Sequence, residues 1–122
     1  MQVTVLQENL KAAVSFASKI VSTKTQLPVL SNFLLETEEG RLKITATNLE
    51  TSISYWIGAT TETQGKITVP ARVFAELISS FSHEKVYLSV EGALLKLICG
   101  KSQATLSTID AGEFPPAADV DE

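Results

Sequence analysis

A repeated pattern of one strand, one helix and three strands constrains the fold of this chain more than any other feature. The opening "MQVTV" alternates in polarity, and "GKITV" repeats it, with residues 67–69 matching residues 3–5. A helical pattern with apolar residues three and four apart follows each of these segments. Three β-rich stretches follow each helix, separated by turn residues. The sequence therefore predicts two copies of a β-α-β-β-β unit, over residues 1–60 and 65–116.

Each predicted helix has one apolar stripe and one face of small or basic residues. The stripe of the first helix comprises Leu10, Ala13, Val14, Ala17, Ile20 and Val21. The stripe of the second helix comprises Val73, Phe74, Leu77, Ile78 and Phe81. Pro70 suits the start of the second helix, because its missing N–H has no helical partner to lose.

The predicted fold class is α+β, since one sheet and one helix cannot close a core alone. We expect the two helices to pack side by side against antiparallel sheets. The polar faces of both helices, with Lys11, Lys19 and Arg72, would then point to one side of the domain. The acidic residues expected on the strands and turns are Glu36, Glu38, Glu39, Glu50, Glu62 and Glu91.

Composition indicates a soluble protein of one domain. The chain has 122 residues, of which 44% are hydrophobic and 20% charged, and its net charge is −4. No apolar run approaches the ~20 residues that span a bilayer, so we expect a cytoplasmic location and no membrane partner. The single cysteine, Cys99, excludes an internal disulfide. The acidic charge argues against binding nucleic acid with the whole surface, but it permits a local basic face.

Residues for catalysis are nearly absent. His83 is the only histidine, and we interpret it as a solvated residue near a helix end. Cys99 falls within an apolar strand pattern that favours a buried thiol. The sequence contains no Walker loop, no G-x-G-x-x-G motif and no cluster of metal ligands. We therefore expect neither an enzyme nor a protein with a cofactor or a bound metal.

Five blocks together resemble the N-terminal domain of the bacterial DNA polymerase III β subunit, the sliding clamp. These blocks are "MQVTV", "LPVLSNFLLE", "GRLKITATNLETSI", "ITVPARVFAELI" and "ATLSTIDAGEFP". The resemblance implies the DNA-clamp fold, one of three similar domains in a subunit, with residues 117–122 beginning an interdomain linker. It also implies a non-catalytic processivity factor of DNA replication. Two subunits would close head to tail into a homodimer ring around duplex DNA and tether the replicative polymerase.

The resemblance also implies which residues meet DNA without reading its sequence. Lys24 stands where the family usually has an arginine, in the loop after the first helix. Arg72, in "VPAR", matches a basic residue at the start of the second helix. Lys11 matches a basic position on the first helix, and Lys19 is a further candidate without a clear counterpart.

The last predicted strand, "KSQATLST", matches the family's subunit interface, so Lys101, Gln103, Ala104 and Leu106 are the interface candidates. Relatives commonly have an arginine and an aromatic residue where Gln103 and Ala104 stand, and a basic residue at Val73. Contacts to polymerase and clamp loader would come from later domains. The alternative is an adaptor that recruits proteins through an exposed sheet edge without encircling DNA. If the chain comes from a clamp, the reading frame should continue past Glu122 with two more pairs of units.

Overall fold

Two successive β-α-β-β-β units form the fold, as the sequence predicts. The computed structural model describes residues 1–20, 31–48, 51–82, 85–109 and 112. The first unit comprises β1 (Gln2–Leu6), α1 (Gln7–Ala17), β2 (Asn32–Glu38), β3 (Arg41–Thr47) and β4 (Ser52–Thr63). The second unit comprises β5 (Lys66–Pro70), α2 (Ala71–Ser80), β6 (Lys85–Glu91), β7 (Leu94–Cys99) and β8 (Ser102–Ser107). A short 3-10 turn, Ser18–Ile20, continues α1.

The two units exchange strands. The strand order is β5-β2-β3-β4-β1-β6-β7-β8, and every neighbouring pair is antiparallel. The first strand of each unit therefore pairs with the second strand of the other unit: β1 with β6, and β5 with β2. Backbone N–H and C=O groups in a core require partners. Each unit thus depends on the other for its hydrogen bonds.

A buried hydrogen-bond cluster joins the two ends of this strand order. Thr68 of β5 and Ile109, which follows β8, each donate a backbone N–H to the other's carbonyl at 3.1 Å. The Thr68 hydroxyl donates to the Ile109 carbonyl at 2.9 Å and accepts from the Asn32 amide at 3.0 Å. The chain that follows β8 therefore reaches back to β5, and the buried polar groups of Asn32 and Thr68 have partners.

The β-rich stretch "LETSISYWIGA", residues 49–59, predicts a strand that ends at Ala59, but β4 continues to Thr63 and changes partner along its length. Its first part pairs with β3 as far as Gly58, and the residues from Ala59 to Thr63 pair with β1. The polar residues 60–63 resemble a loop in the sequence. Three of these four are threonines, whose branched side chains suit a strand, and β1 supplies the partner.

Both helices bury most of the described residues in their predicted stripes. Ile20 and Leu77 are partly buried, Val73 is exposed, and Val21 lies outside the described residues. The fully or nearly buried helix residues are Leu10, Ala13, Val14, Ala17, Ala71, Phe74 and Ile78. Val73 was predicted to be in the core, and that prediction is wrong, because 43% of this residue is exposed. The buried face of α2 is centred on Ala71, Phe74 and Ile78, and Val73 projects from the other side of the helix.

The buried strand residues come from both units and form a single apolar cluster with the helix stripes. Cys99 is 1% exposed, in agreement with the predicted buried thiol. Among the described helices, none is long and apolar enough to cross a bilayer.

The Phe33–Phe74 contact provides a test of how α2 is attached to the sheet. The two rings meet edge to face with centroids 6.4 Å apart, and both residues are fully buried. We expect Phe74→Ala to lower the free energy of unfolding by about 3–5 kcal/mol, because it leaves a cavity. The neighbouring Val73→Ala is the control and should change that free energy by less than about 0.5 kcal/mol. Urea unfolding measures both, and equal losses would contradict the assigned helix face.

Candidate nucleic-acid interface

The two helices lie side by side and run in opposite directions. At one end, the amide of Gln7, the first residue of α1, donates to the carbonyl of Ile78 near the end of α2 at 2.7 Å. At the other end, α2 contacts the 3-10 turn Ser18–Ile20 that continues α1. The helices also contact each other directly. This arrangement confirms the predicted helix pair.

The solvent faces of the helix pair carry small side chains and a slight excess of positive charge. The cations of these helices are Lys11, Lys19 and Arg72, and their carboxylates are Glu8 and Glu76. All five residues are exposed. Small exposed residues fill much of the remaining surface, namely Ala12, Ser15, Ser18, Ser79 and Ser80. A chain with a net charge of −4 therefore keeps one weakly basic surface.

The structure brings two of the predicted DNA-contacting cations to one end of this surface. Lys19 lies in the 3-10 turn after α1. Arg72 is the second residue of α2, and α2 contacts that turn. Lys11 lies near the middle of α1. Lys24 lies outside the described residues. The one ion pair among the described residues joins Arg41 to Glu38, so Lys11, Lys19 and Arg72 make no ion pair with a described carboxylate.

Lys19 has an aromatic partner that sequence reasoning missed. Its ammonium lies 5.7 Å from the centroid of the Phe16 ring, and Phe16 in turn contacts Tyr55 of β4, with ring centroids 5.4 Å apart. Phe16 is 38% exposed. The available signal was an aromatic residue three positions before a lysine, on a face that otherwise has small side chains.

The predicted interface residues on and beside β8 fall into two groups. Lys101 and Gln103 are exposed, Ala104 is partly buried, and Leu106 is 9% exposed and belongs to the core. Alternation along a strand explains the difference, because Leu106 faces inward while Gln103 faces outward. Only the backbone of Leu106 is therefore available at the strand edge. Within the described residues, β8 pairs with β7 alone.

No cluster of three or more His, Cys, Asp or Glu residues that could hold a metal ion occurs in the part of the chain that the structure describes. His83 lies outside that part. The surface of the helix pair carries cations, two carboxylates, hydroxyl groups, small apolar groups and the Phe16 ring. The cations and hydroxyl groups of this surface can contact phosphates, which positions nucleic acid without reading its sequence.

Comparison with known proteins identifies the family. The family described as DNA polymerase III beta subunit, N-terminal domain, matches residues 1–119. This chain belongs to that family. The β sliding clamp of Streptomyces coelicolor is 29% identical over 122 residues, which are 100% of this chain and 32% of that protein. The β sliding clamp of Haemophilus influenzae is 31% identical and is matched over 98% of this chain and 33% of its own length.

Solved structures of sliding clamps share the fold. The DNA polymerase sliding clamp of Bacillus subtilis has a TM-score of 0.96 and 25% identity, over 100% of this chain and 34% of that one. The clamp of Caulobacter crescentus has a TM-score of 0.92 and 30% identity, over 98% of this chain and 33% of that one. The chain thus spans about a third of the length of the relatives it matches. These similarities confirm the predicted α+β clamp fold.

The bond from Gln7 to Ile78 should contribute measurably to the joining of the two helices. We expect Gln7→Ala to lower the free energy of unfolding by about 1 kcal/mol, because it removes a side-chain donor to a carbonyl near the end of α2. The exposed Gln64→Ala is the matched control and should leave that free energy within about 0.5 kcal/mol of wild type. Chemical denaturation reports both values, and identical unfolding of Q7A and wild type would show that this bond contributes nothing.

Proposed function

We propose that this chain is the N-terminal domain of a replicative sliding clamp, which encircles duplex DNA and tethers the replicative polymerase. The observation that carries the proposal is the helix pair. It presents small side chains and cations that make no ion pair with a described carboxylate on one surface of an acidic domain. Membership in the DNA polymerase III β subunit family and the likeness to β sliding clamps support it.

The mechanism makes and breaks no covalent bond. A ring that slides must stay close to DNA without binding any position tightly, so scattered cations that contact phosphates suit it better than groups that read bases. Lys11, Lys19, Lys24 and Arg72 would supply these contacts. A lysine ammonium is a point charge without the bidentate fork of arginine, so the contact at Lys24 would be loose. Exposed serines and alanines give a helix surface that DNA can pass.

Under this function, residues 1–116 would form one domain and residues 117–122 would begin a linker. The two units would span residues 1–60 and 65–116. Two further domains of the full-length protein would complete the subunit and receive the polymerase and the clamp loader. The protein would work in the cytoplasm, together with the DNA that is being replicated.

Ring closure would use the edge of β8. Lys101, Gln103, Ala104 and the backbone of Leu106 would meet the last domain of a second subunit. A strand edge with unpaired backbone groups favours pairing with another chain. With glutamine and alanine at positions 103 and 104, charge pairing and apolar contact across this edge would be thinner than in relatives that have an arginine and an aromatic residue there.

Charge reversal at two predicted phosphate contacts tests the DNA-binding surface. We expect Lys24→Glu/Arg72→Glu in the full-length protein to weaken binding to a linear duplex. The slope of log affinity against log salt should become shallower by roughly two per chain, since about 0.9 is lost for each phosphate contact. Fluorescence anisotropy at several salt concentrations measures the affinity. Lys66→Glu, on the exposed end of β5, is the control and should leave the slope unchanged. Equal slopes for wild type, the double variant and Lys66→Glu would show that this surface does not contact phosphates. That result would favour the alternative function, an adaptor that does not encircle DNA.

Ring assembly is tested by sedimentation equilibrium of the full-length protein. We expect a dimer, and Lys101→Glu should raise its dissociation constant by up to about thirtyfold, because each of the two equivalent interfaces of a ring loses at most about 1 kcal/mol. Lys66→Glu again serves as the control and should leave the dimer unchanged. A monomeric full-length protein, or a dimer insensitive to position 101, would contradict the proposed role of Lys101.

A further inference from the structure

Three side chains form a continuous contact from the sheet to the helix surface. Tyr55 lies on β4, opposite Ile44 of β3, and packs against the hydrophobic core. The Phe16 ring lies over Tyr55 in a tilted arrangement, with 5.4 Å between centroids and 54° between the planes. The ammonium of Lys19 lies 5.7 Å from the centre of the Phe16 ring. One end of this contact is therefore held by the core, and the other end is a cation in solvent.

We infer that Phe16 is a positioning residue that holds the Lys19 ammonium where it can meet a DNA phosphate. This inference rests on the proposed function, because it assigns Lys19 to the phosphate-contacting surface of the helix pair. Phe16 would then contribute to DNA binding although it is uncharged. Lys19 would differ from the other cations of that surface because an aromatic ring holds its ammonium in place.

The physical reason is the cost of ordering a lysine side chain. A free lysine has four rotatable bonds, and fixing them on contact with a phosphate opposes binding. An aromatic ring attracts an ammonium through its electron-rich face, even at an exposed site. That attraction uses no acceptor atom, so the three N–H donors of the ammonium remain able to bind phosphate oxygens.

The surroundings of Lys19 favour a role outside the domain. No ion pair between Lys19 and a described carboxylate competes for its charge. Lys19 lies in the turn that ends α1, where the helix dipole also favours a cation. Arg72, at the start of α2, lies at the same end of the helix pair. Phe16 thus contacts a cation at the end of the helix pair that also carries Arg72.

Lys11 provides an internal comparison on the same helix. It is also exposed, but none of the described rings makes a cation–π contact with it. If aromatic support contributes to the phosphate contact, removal of the Phe16 ring should weaken the contact made by Lys19 and leave that of Lys11 unchanged. A comparison of the two lysines therefore distinguishes a specific effect on the Lys19 ammonium from a general loosening of α1.

A second cation–π cluster lies away from the helices and offers a control of the same chemistry. The Lys43 ammonium lies 5.5 Å from the centre of the Trp56 ring, and Trp56 is 45% exposed. These two residues face each other across β3 and β4. Under the proposed function, removal of the Trp56 ring should not alter DNA binding.

The test is a double-mutant cycle on the full-length protein, with binding to a linear duplex measured by fluorescence anisotropy at low salt. The variants are Phe16→Leu, Lys19→Gln and the pair together. Leucine keeps an apolar side chain at position 16 but removes the aromatic face. Phe16→Tyr keeps that face, and thermal unfolding of each variant checks that it is folded. The comparison cycle combines Phe16→Leu with Lys11→Gln, and Trp56→Leu is the distant control.

We expect Phe16→Leu to weaken duplex binding by about two- to fivefold, the size of an exposed cation–π contact converted to affinity. Phe16→Tyr should bind like wild type. Phe16→Leu should have no further effect once Lys19 is glutamine, but should keep its full effect when Lys11 is glutamine. Trp56→Leu should bind like wild type.

Three results would overturn the inference alone while DNA binding still depends on Lys24 and Arg72. These are an unchanged affinity for Phe16→Leu, an additive cycle with Lys19→Gln, or tighter binding by Phe16→Leu, which would mean that the ring competes with DNA for the ammonium. A wild-type protein that does not bind duplex, or binding that is insensitive to Lys24 and Arg72, would overturn the proposed function and this inference with it.

Discussion

The exchange of strands between the two units is the constraint on which the rest of the structure depends. In each unit, the first strand supplies hydrogen-bonding partners to the second strand of the other unit, β1 to β6 and β5 to β2. Because each helix directly follows such an exchanged strand, the pairing also decides where the helices lie. They meet side by side in opposite directions, and their stripes join one core. A change that weakened the exchange would therefore disturb the core and the helix surface together.

The helix surface combines weak positive charge with small side chains, and both properties follow from that arrangement. Each helix buries most of its large apolar residues beneath itself, which leaves mainly small side chains and a few charged residues outside. With only a slight excess of cations, the surface can attract a polyanion without holding it at one place, and salt screens such contacts readily. Phe16 and Val73 are the exceptions to the small side chains, and the contact of Phe16 with Lys19 underlies the positioning role inferred for that ring. The proposed sliding on DNA would depend on this balance more than on strong binding.

Much of the fold could be predicted from local patterns. The repeated unit, the helix stripes around Leu10 and Phe74, and the buried Cys99 follow from periodicity and composition, because each depends on neighbours close in sequence. Where prediction failed, contacts between distant residues decided the outcome. Val73 is exposed because the position of α2 on the sheet selects the buried face, and β4 extends to Thr63 because β1 lies beside it. At the candidate site, Lys11, Lys19 and Arg72 could be predicted from the sequence. The contact of Lys19 with Phe16 could not, because two exposed helix residues three positions apart need not touch.

By itself, the sequence determined the two β-α-β-β-β units, the amphipathic character of both helices and membership in the clamp family. Periodicity is a local property, so the chain carries it before any long-range contact forms. Only the tertiary structure decided that the first strands are exchanged, that Thr68 and Ile109 join the two ends of the strand order, and that Tyr55 lies beneath Phe16. These features depend on which segments meet across long separations in the chain, and that choice is made by the burial and hydrogen bonding of the whole domain at once.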